Sequence, residues 1–142
     1  MTMVLDASMA IAWLLKRRDQ TEAKLASKAF DVVIALGAVV PLLWYSEIGN
    51  VLLLAERQRV ISAQDSAEYL AGLALWEIVS DSAKPADNLN QVMNLGRLYG
   101  LTAYDATYLE LAMRRGGSLA TFERKLADAA RTAGVKVFGD TP

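Results

Sequence analysis

Short apolar runs alternate along this chain with longer stretches of helical periodicity, and no other feature limits its fold so closely. "MVL" at 3–5, "AVVP" at 38–41, "WEIVS" at 76–80, "SLAT" at 118–121 and "VKVF" at 135–138 each have the length and β-branched content of a buried strand. Between them lie amphipathic segments too long to be anything but helices. Ser8 is placed to cap a first helix carrying "MAIAWLLK", and a second is expected over about 20–31. Pro41 stops the second strand and opens a long helix over 42–59, and Ser62 caps the next. Pro85 suits the first turn of a helix that ends at Gly100, and Gly116 and Gly117 close the one after it. A last helix runs to Gly134. Strands joined by helices make right-handed crossovers, so the expected class is α/β: a mostly parallel five-stranded sheet with helices on both faces.

At 142 residues, 54% of them hydrophobic, one domain spanning 1–142 is expected, long enough to bury about two thirds of its unfolded surface. The longest uncharged run, 32–46, is short of a membrane span and is broken by Gly37 and Pro41, so it reads as a buried strand leading into a helix. Near the start, Asp6 interrupts the apolar run and Lys16, Arg17 and Arg18 follow it, the wrong order for a secretory signal. A cytoplasmic protein without a membrane segment is expected.

Cysteine and histidine are both absent. Disulfides, thiolate zinc sites, cysteine nucleophiles and histidine acid–base pairs are excluded together. Catalysis here would have to run on carboxylates, hydroxyls, lysine, arginine or an oxygen-bound metal. Fifteen basic residues against sixteen acidic ones leave a formal charge of -1, so no global positive field marks a nucleic-acid partner. Local basic clusters, such as Lys16 to Arg18 or Arg124 and Lys125, are explained about as well by solvated helix ends.

Four acids stand out by position. Asp6 follows the first strand, where a parallel sheet puts its site, although a cap or turn role would also suit it. Glu47 shares a helical face with Leu43, Asn50, Val51 and Leu54, which puts an acid in the stripe expected to meet the core. Asp105, in "LTAYDATYLELA", lies on the apolar stripe of Leu101, Tyr108 and Ala112, yet it also has capping-box spacing from Thr102. Glu123 lies two residues after Thr121, just past the fourth strand, where a helix N-terminus also favours an acid. Asp128 reads more simply as a solvent-facing helix residue. Gathered on one edge of a parallel sheet, Asp6, Glu47, Asp105 and Glu123 would repel one another, and a hard divalent cation with oxygen ligands would relieve that repulsion. Mg2+ or Mn2+ is the expected cofactor, supplying activated water and charge compensation at a phosphodiester.

In order along the chain, "VLDASMAIAWLL", "EIGNVL", "LTAYDATYLELA" and "LATFERKLADAA" resemble the successive motifs of PIN-domain proteins, and the whole chain is similar to the VapC toxins of bacterial toxin-antitoxin pairs. The resemblance implies an α/β/α sandwich and an Mg2+- or Mn2+-dependent endoribonuclease acting on RNA. It also implies a VapB-type antitoxin partner and a homodimer. The family's acids map onto Asp6, Glu47 and Asp105, and a fourth, commonly Asp, meets Glu123, one methylene longer. Ser8, Asn50 and Thr121 match its polar support positions, and Asp128 corresponds to a further acid of some members.

Other classes fit less well. A receiver domain would end its first strand in paired acids, whereas Leu5 precedes Asp6 here. A phosphatase with a DxD nucleophile would need an acid in place of Ser8. A catalytically degenerate domain that binds RNA or protein is the remaining alternative, and only Glu123 departs from the motif set.

Overall fold

The computed structural model describes residues 2–141. Four strands, β1 (Met3–Leu5), β2 (Ala38–Val40), β3 (Ile78–Ser80) and β4 (Ser118–Ala120), form one sheet in the order β3-β2-β1-β4. Every pairing is parallel: Val4 faces Val39 on one side of β1 and Leu119 on the other. The expected fifth strand at 135–138 shrinks to a single parallel bridge between Val137 and Leu119. Gly134 at φ 84° and Gly139 at φ 98° turn the chain on either side of it, leaving no length for a ladder.

The helices are α1 (Ala7–Ile11), α2 (Gln20–Leu36), α3 (Leu43–Arg57), α4 (Ala63–Leu75), α5 (Pro85–Tyr99), α6 (Ala103–Arg115) and α7 (Arg124–Thr132). Two depart from the sequence reading. The first ends after five residues, its remaining length becoming turns, and Ser8 lies inside it instead of capping it. The second continues five residues beyond Asp31, because nothing before Gly37 breaks it; residues 32–36 are helix, not strand. Gly37, at φ 77°, ends it where an added Cβ would meet the Glu77 carbonyl oxygen at 2.6 Å, so no larger residue could enter β2 there.

The strands β1 and β2 are fully buried, as strands covered on both faces must be, while the edge strand β3 is partly exposed. Trp44, Ile48, Leu52 and Ala55 are the buried stripe of α3, and Tyr108, Leu109, Leu111 and Ala112 that of α6. The Tyr69 hydroxyl donates to the Ala10 carbonyl at 2.5 Å, tying α4 to α1. Trp13, Phe30 and Trp76 meet edge to face with centroids 4.9 to 5.7 Å apart, and the Trp13 Nε1–H donates to the Ala26 carbonyl. This cluster fixes the chain between α1 and α2 against α4. Among the described residues, no helix is long and apolar enough to cross a membrane.

Candidate active site

In this sheet the strand order reverses beside β1: the chain moves outward through β2 and β3, then returns to the other flank with β4. Ligand sites in open parallel sheets form at the carboxyl ends of strands at such a reversal. Asp6 follows β1 there and Thr121 follows β4.

Asp6 is 3% exposed, and its backbone N–H donates to the Ala120 carbonyl, so the ends of β1 and β4 hold it directly. Although Asp6 occupies the N-cap position of α1, its carboxylate makes no cap bond. Oδ2 instead accepts from the Thr121 hydroxyl at 2.6 Å and the Ser8 hydroxyl at 2.7 Å. Both hydroxyls are held in turn, since Ser8 Oγ accepts the Phe122 N–H and Thr121 Oγ1 accepts the Glu123 N–H, each at 2.9 Å. One carboxylate is thereby oriented by two hydroxyls, and each hydroxyl by a backbone donor, in one connected network.

Glu47 is half-buried on α3 at the border of the buried stripe, not within it: Leu54, expected on the same inward face, is exposed, and so is Asn50. The Tyr108 hydroxyl of α6 donates to Glu47 Oε1 at 2.5 Å. Asp105 is half-buried in the first turn of α6. Thr102 caps that helix by accepting the Asp105 N–H at 3.1 Å, but the Asp105 carboxylate does not return the bond. At α4 the same spacing does close reciprocally between Ser62 and Asp65, so Asp105 is free of the capping role its spacing offered. Glu123 holds the N-cap position of α7, also without a side-chain cap bond. Asp128 stands on the exposed face of α7 and pairs with Arg131 at 3.0 Å.

The electrostatics show which carboxylates share a neighbourhood. Burial pushes the Asp6 carboxyl above the usual carboxylate range, against the Thr121 and Ser8 hydroxyls, and the Glu123 charge adds to the rise. Glu47 is raised by burial, opposed by the Tyr108 bond, and raised further by the charges of Asp6, Asp105 and Glu123. Burial also raises Asp105, the charges of Asp6 and Glu123 reinforce it, and the Lys125 ammonium opposes it. Asp6, Glu47 and Asp105 are thus each raised by the charge of at least one other of the four acids. Among the described residues no three acidic side chains are gathered into a ready-made cation cage. The donors are all hard oxygens whose repulsion Lys125 and the Tyr108 hydroxyl offset only in part, a set that would suit a cation such as Mg2+, which keeps several waters and takes few protein ligands.

A family model for the PIN domain matches residues 3–132. The chain belongs to the PIN-domain family. Among individual PIN-domain relatives, Ribonuclease VapC3 of Pyrobaculum aerophilum is 28% identical over 132 residues, covering 90% of this chain and 94% of the relative. Two solved structures share the fold. The crystal structure of PAE2754 from Pyrobaculum aerophilum has a TM-score of 0.66 at 22% identity, over 90% of this chain and 78% of that one. A toxin-antitoxin complex from Klebsiella pneumoniae has a TM-score of 0.62 at 20% identity, over 99% and 100% of the two chains.

Sequence reading missed two residues that touch or neighbour these acids. Tyr108 reads as core, and it is fully buried, but a buried phenol needs a hydrogen-bond partner, and its place three residues after Asp105 was the available signal. Lys125 reads as helix-end charge; its ammonium donates to the Gly100 carbonyl at 3.1 Å, which anchors it near Asp105.

Proposed function

We propose that this PIN-domain chain is a VapC-type toxin, an endoribonuclease that depends on Mg2+ or Mn2+ and hydrolyses RNA phosphodiester bonds with water. The observation that carries this reading is Asp6, buried at the β1/β4 reversal, fixed by two hydroxyls and within electrostatic reach of Glu123. The likeness to Ribonuclease VapC3 over nearly the full chain supports it. Asp6 and Asp105 would hold the ion, with Glu47 and Glu123 as further donors. When bound, the ion supplies Lewis-acid stabilisation of the phosphoryl oxygens and lowers the pKa of water.

The chain's own residues have distinct tasks in this reading. Ser8 and Thr121 both donate to Oδ2 of Asp6 and so hold that carboxylate in one orientation. Tyr108 holds Glu47 in one rotamer, and its own proton is retained because burial, the Asp6 charge and the Glu47 bond all raise its pKa. Lys125 offsets charge beside Asp105. The test is incubation of purified protein with RNA: cutting with Mg2+ or Mn2+ that EDTA abolishes is expected, and undiminished cutting in chelator would overturn the mechanism.

An antitoxin partner of VapB type belongs to the same proposal, supported by the likeness to a toxin-antitoxin complex. A groove of about 640 Å³ between α1 and α2, lined by Trp13, Ala23, Ala26 and Phe30 with Lys16, Lys24 and Lys28, has the apolar surface and basic residues that an amphipathic acidic segment would match. Leu89 and Met93, exposed one turn apart on α5, offer apolar surface for the second copy of a homodimer, which sedimentation would test.

A further inference from the structure

On the α1 side of the acids lies a cleft of the opposite charge. It has a volume of about 550 Å³, in the range that seats one small ligand; Lys16, Arg17 and Arg18 line it with Ser8, and its two acids, Asp19 and Glu22, leave it one positive charge in excess, with Asp19 spent on capping α2. Ser8 is the residue whose hydroxyl bonds Asp6, so the basic cleft and the acidic site share a wall. A solvated helix end would leave these cations loose, but Arg17 is docked. Its guanidinium carbon lies 4.4 Å from the centroid of the Phe122 ring, and Phe122 sits between Thr121 and Glu123 with its N–H bonded to Ser8 Oγ.

Arg17 is nevertheless not used up by the protein. Its Nε and Nη2 each stand 3.4 Å from a Glu22 oxygen, at the long limit for a hydrogen bond, and the two side chains are 37% and 40% exposed. Nη1 has no protein acceptor among the described residues. A planar fork held over an aromatic ring and weakly paired is prepared for a stronger oxyanion, and a phosphate accepts such a fork in bidentate fashion. Four carboxylates repel a polyanion, so a strand brought to them needs cations just outside the cluster.

We infer that this cleft seats the RNA strand flanking the scissile bond, with Arg17, braced by Phe122, gripping the adjacent phosphate and Lys16 and Arg18 extending the contact. The inference rests on the ribonuclease reading above, and it assigns Arg17 a positioning role outside the carboxylate chemistry. Stacking on Phe122 points the guanidinium without consuming its donors.

The test is binding of a short fluorescent single-stranded RNA in EDTA, followed by anisotropy over a salt titration, with thermal melts to confirm folding. Arg17→Ala should weaken binding about tenfold at low salt, as expected for loss of a charge-assisted contact. The slope of log K against log salt should fall by about 0.7, one phosphate contact on a single strand. Arg17→Lys should restore the slope but not the affinity. Phe122→Leu should weaken binding with the slope unchanged, and Arg57→Ala, at the far end of α3, should change neither. Wild-type affinity and slope in Arg17→Ala would overturn the inference even if RNA is cut normally. RNA binding that depends on Arg17, in a protein that cuts nothing with Mg2+ or Mn2+, would uphold the cleft and overturn the ribonuclease reading. If Arg17→Ala impairs only capture of a co-expressed protein, the cleft is a protein interface and the inference falls.

Discussion

The Tyr108 hydroxyl donates to Glu47 Oε1 at 2.5 Å, joining α6 to α3 across a sequence separation of 61 residues. Tyr108 itself is fully buried, whereas Glu47 is half-exposed, so the bond fixes a carboxylate at the mouth of the site from beneath. Tyr108→Phe keeps the packing and removes only this donor. Thermal melting should register a loss of about 1 kcal/mol, a modest figure because water can reach Glu47. The Glu47 carboxyl, already raised, should rise further, which a carbon-detected titration would read. An unchanged Glu47 titration would show that the bond does not form in solution.

Burial and mutual repulsion raise the folded-state pKa values of Asp6, Glu47 and Asp105 above 3.8, 4.5 and 3.8 respectively. Such carboxyls bind protons more tightly in the folded protein, so their contribution is fully present below those unfolded values and is lost as pH rises through the raised ones. Asp105→Asn should therefore leave the metal-free fold as stable as wild type or more so, with an advantage that grows as pH rises from about 4 to about 7. It should also abolish cleavage. Since Thr102 caps α6 without help from the Asp105 carboxylate, a destabilised metal-free variant would contradict the site geometry.

Glu123 offers a contrast within the same cluster. It has no cap bond to lose, so Glu123→Gln should change stability by no more than about 0.5 kcal/mol. If it donates to the ion, cleavage against Mg2+ and Mn2+ concentration should shift to higher metal, though less than for Asp105→Asn. Glu123→Asp should retain activity with an altered preference between the two ions. Wild-type curves for Glu123→Gln would leave Asp6, Glu47 and Asp105 as the working set.

Arg114 tests the scaffold and not the chemistry. It donates to buried Glu110 at 2.8 and 3.0 Å and to Asp81 at 3.1 and 2.6 Å, pinning the segment after β3 onto α6. Arg114→Met strands Glu110 without its partner and should cost about 2–4 kcal/mol by denaturant titration, with much of it recovered in Arg114→Met/Glu110→Met. The Arg114 bond holds the Asp81 carboxyl below its usual range. Its contribution is accordingly present above about pH 3.8 and disappears as pH falls through the lowered folded value, so wild type and Arg114→Met should converge in acid. Parallel stability curves down to the lowest pH would contradict the pairing.

Much of this was legible in the linear chain. Strand–helix alternation determined a parallel α/β sheet, because a crossover between parallel strands must carry a helix and leaves two hydrophobic periodicities in the sequence. The absence of cysteine and histidine determined that any site here is built from oxygen donors. Asp6 and Thr121 were placed at strand ends by the same alternation, because a strand's end in sequence is also its end in space. Helix lengths were less visible: α2 ran on to Gly37 because stop signals act locally, and 135–138 failed as a strand because pairing length depends on the neighbour and the turns beside it. Only the tertiary structure decided which hydrogen bonds the acids make. Capping spacing is identical at Ser62/Asp65 and Thr102/Asp105, yet one closes into a reciprocal pair and the other leaves its carboxylate for the site. The bonds of Tyr108 to Glu47, Thr121 to Asp6 and Phe122 to Ser8 join residues 61, 115 and 114 positions apart. Periodicity carries no information on such pairs, since it records which side of an element faces inward and nothing about what waits there.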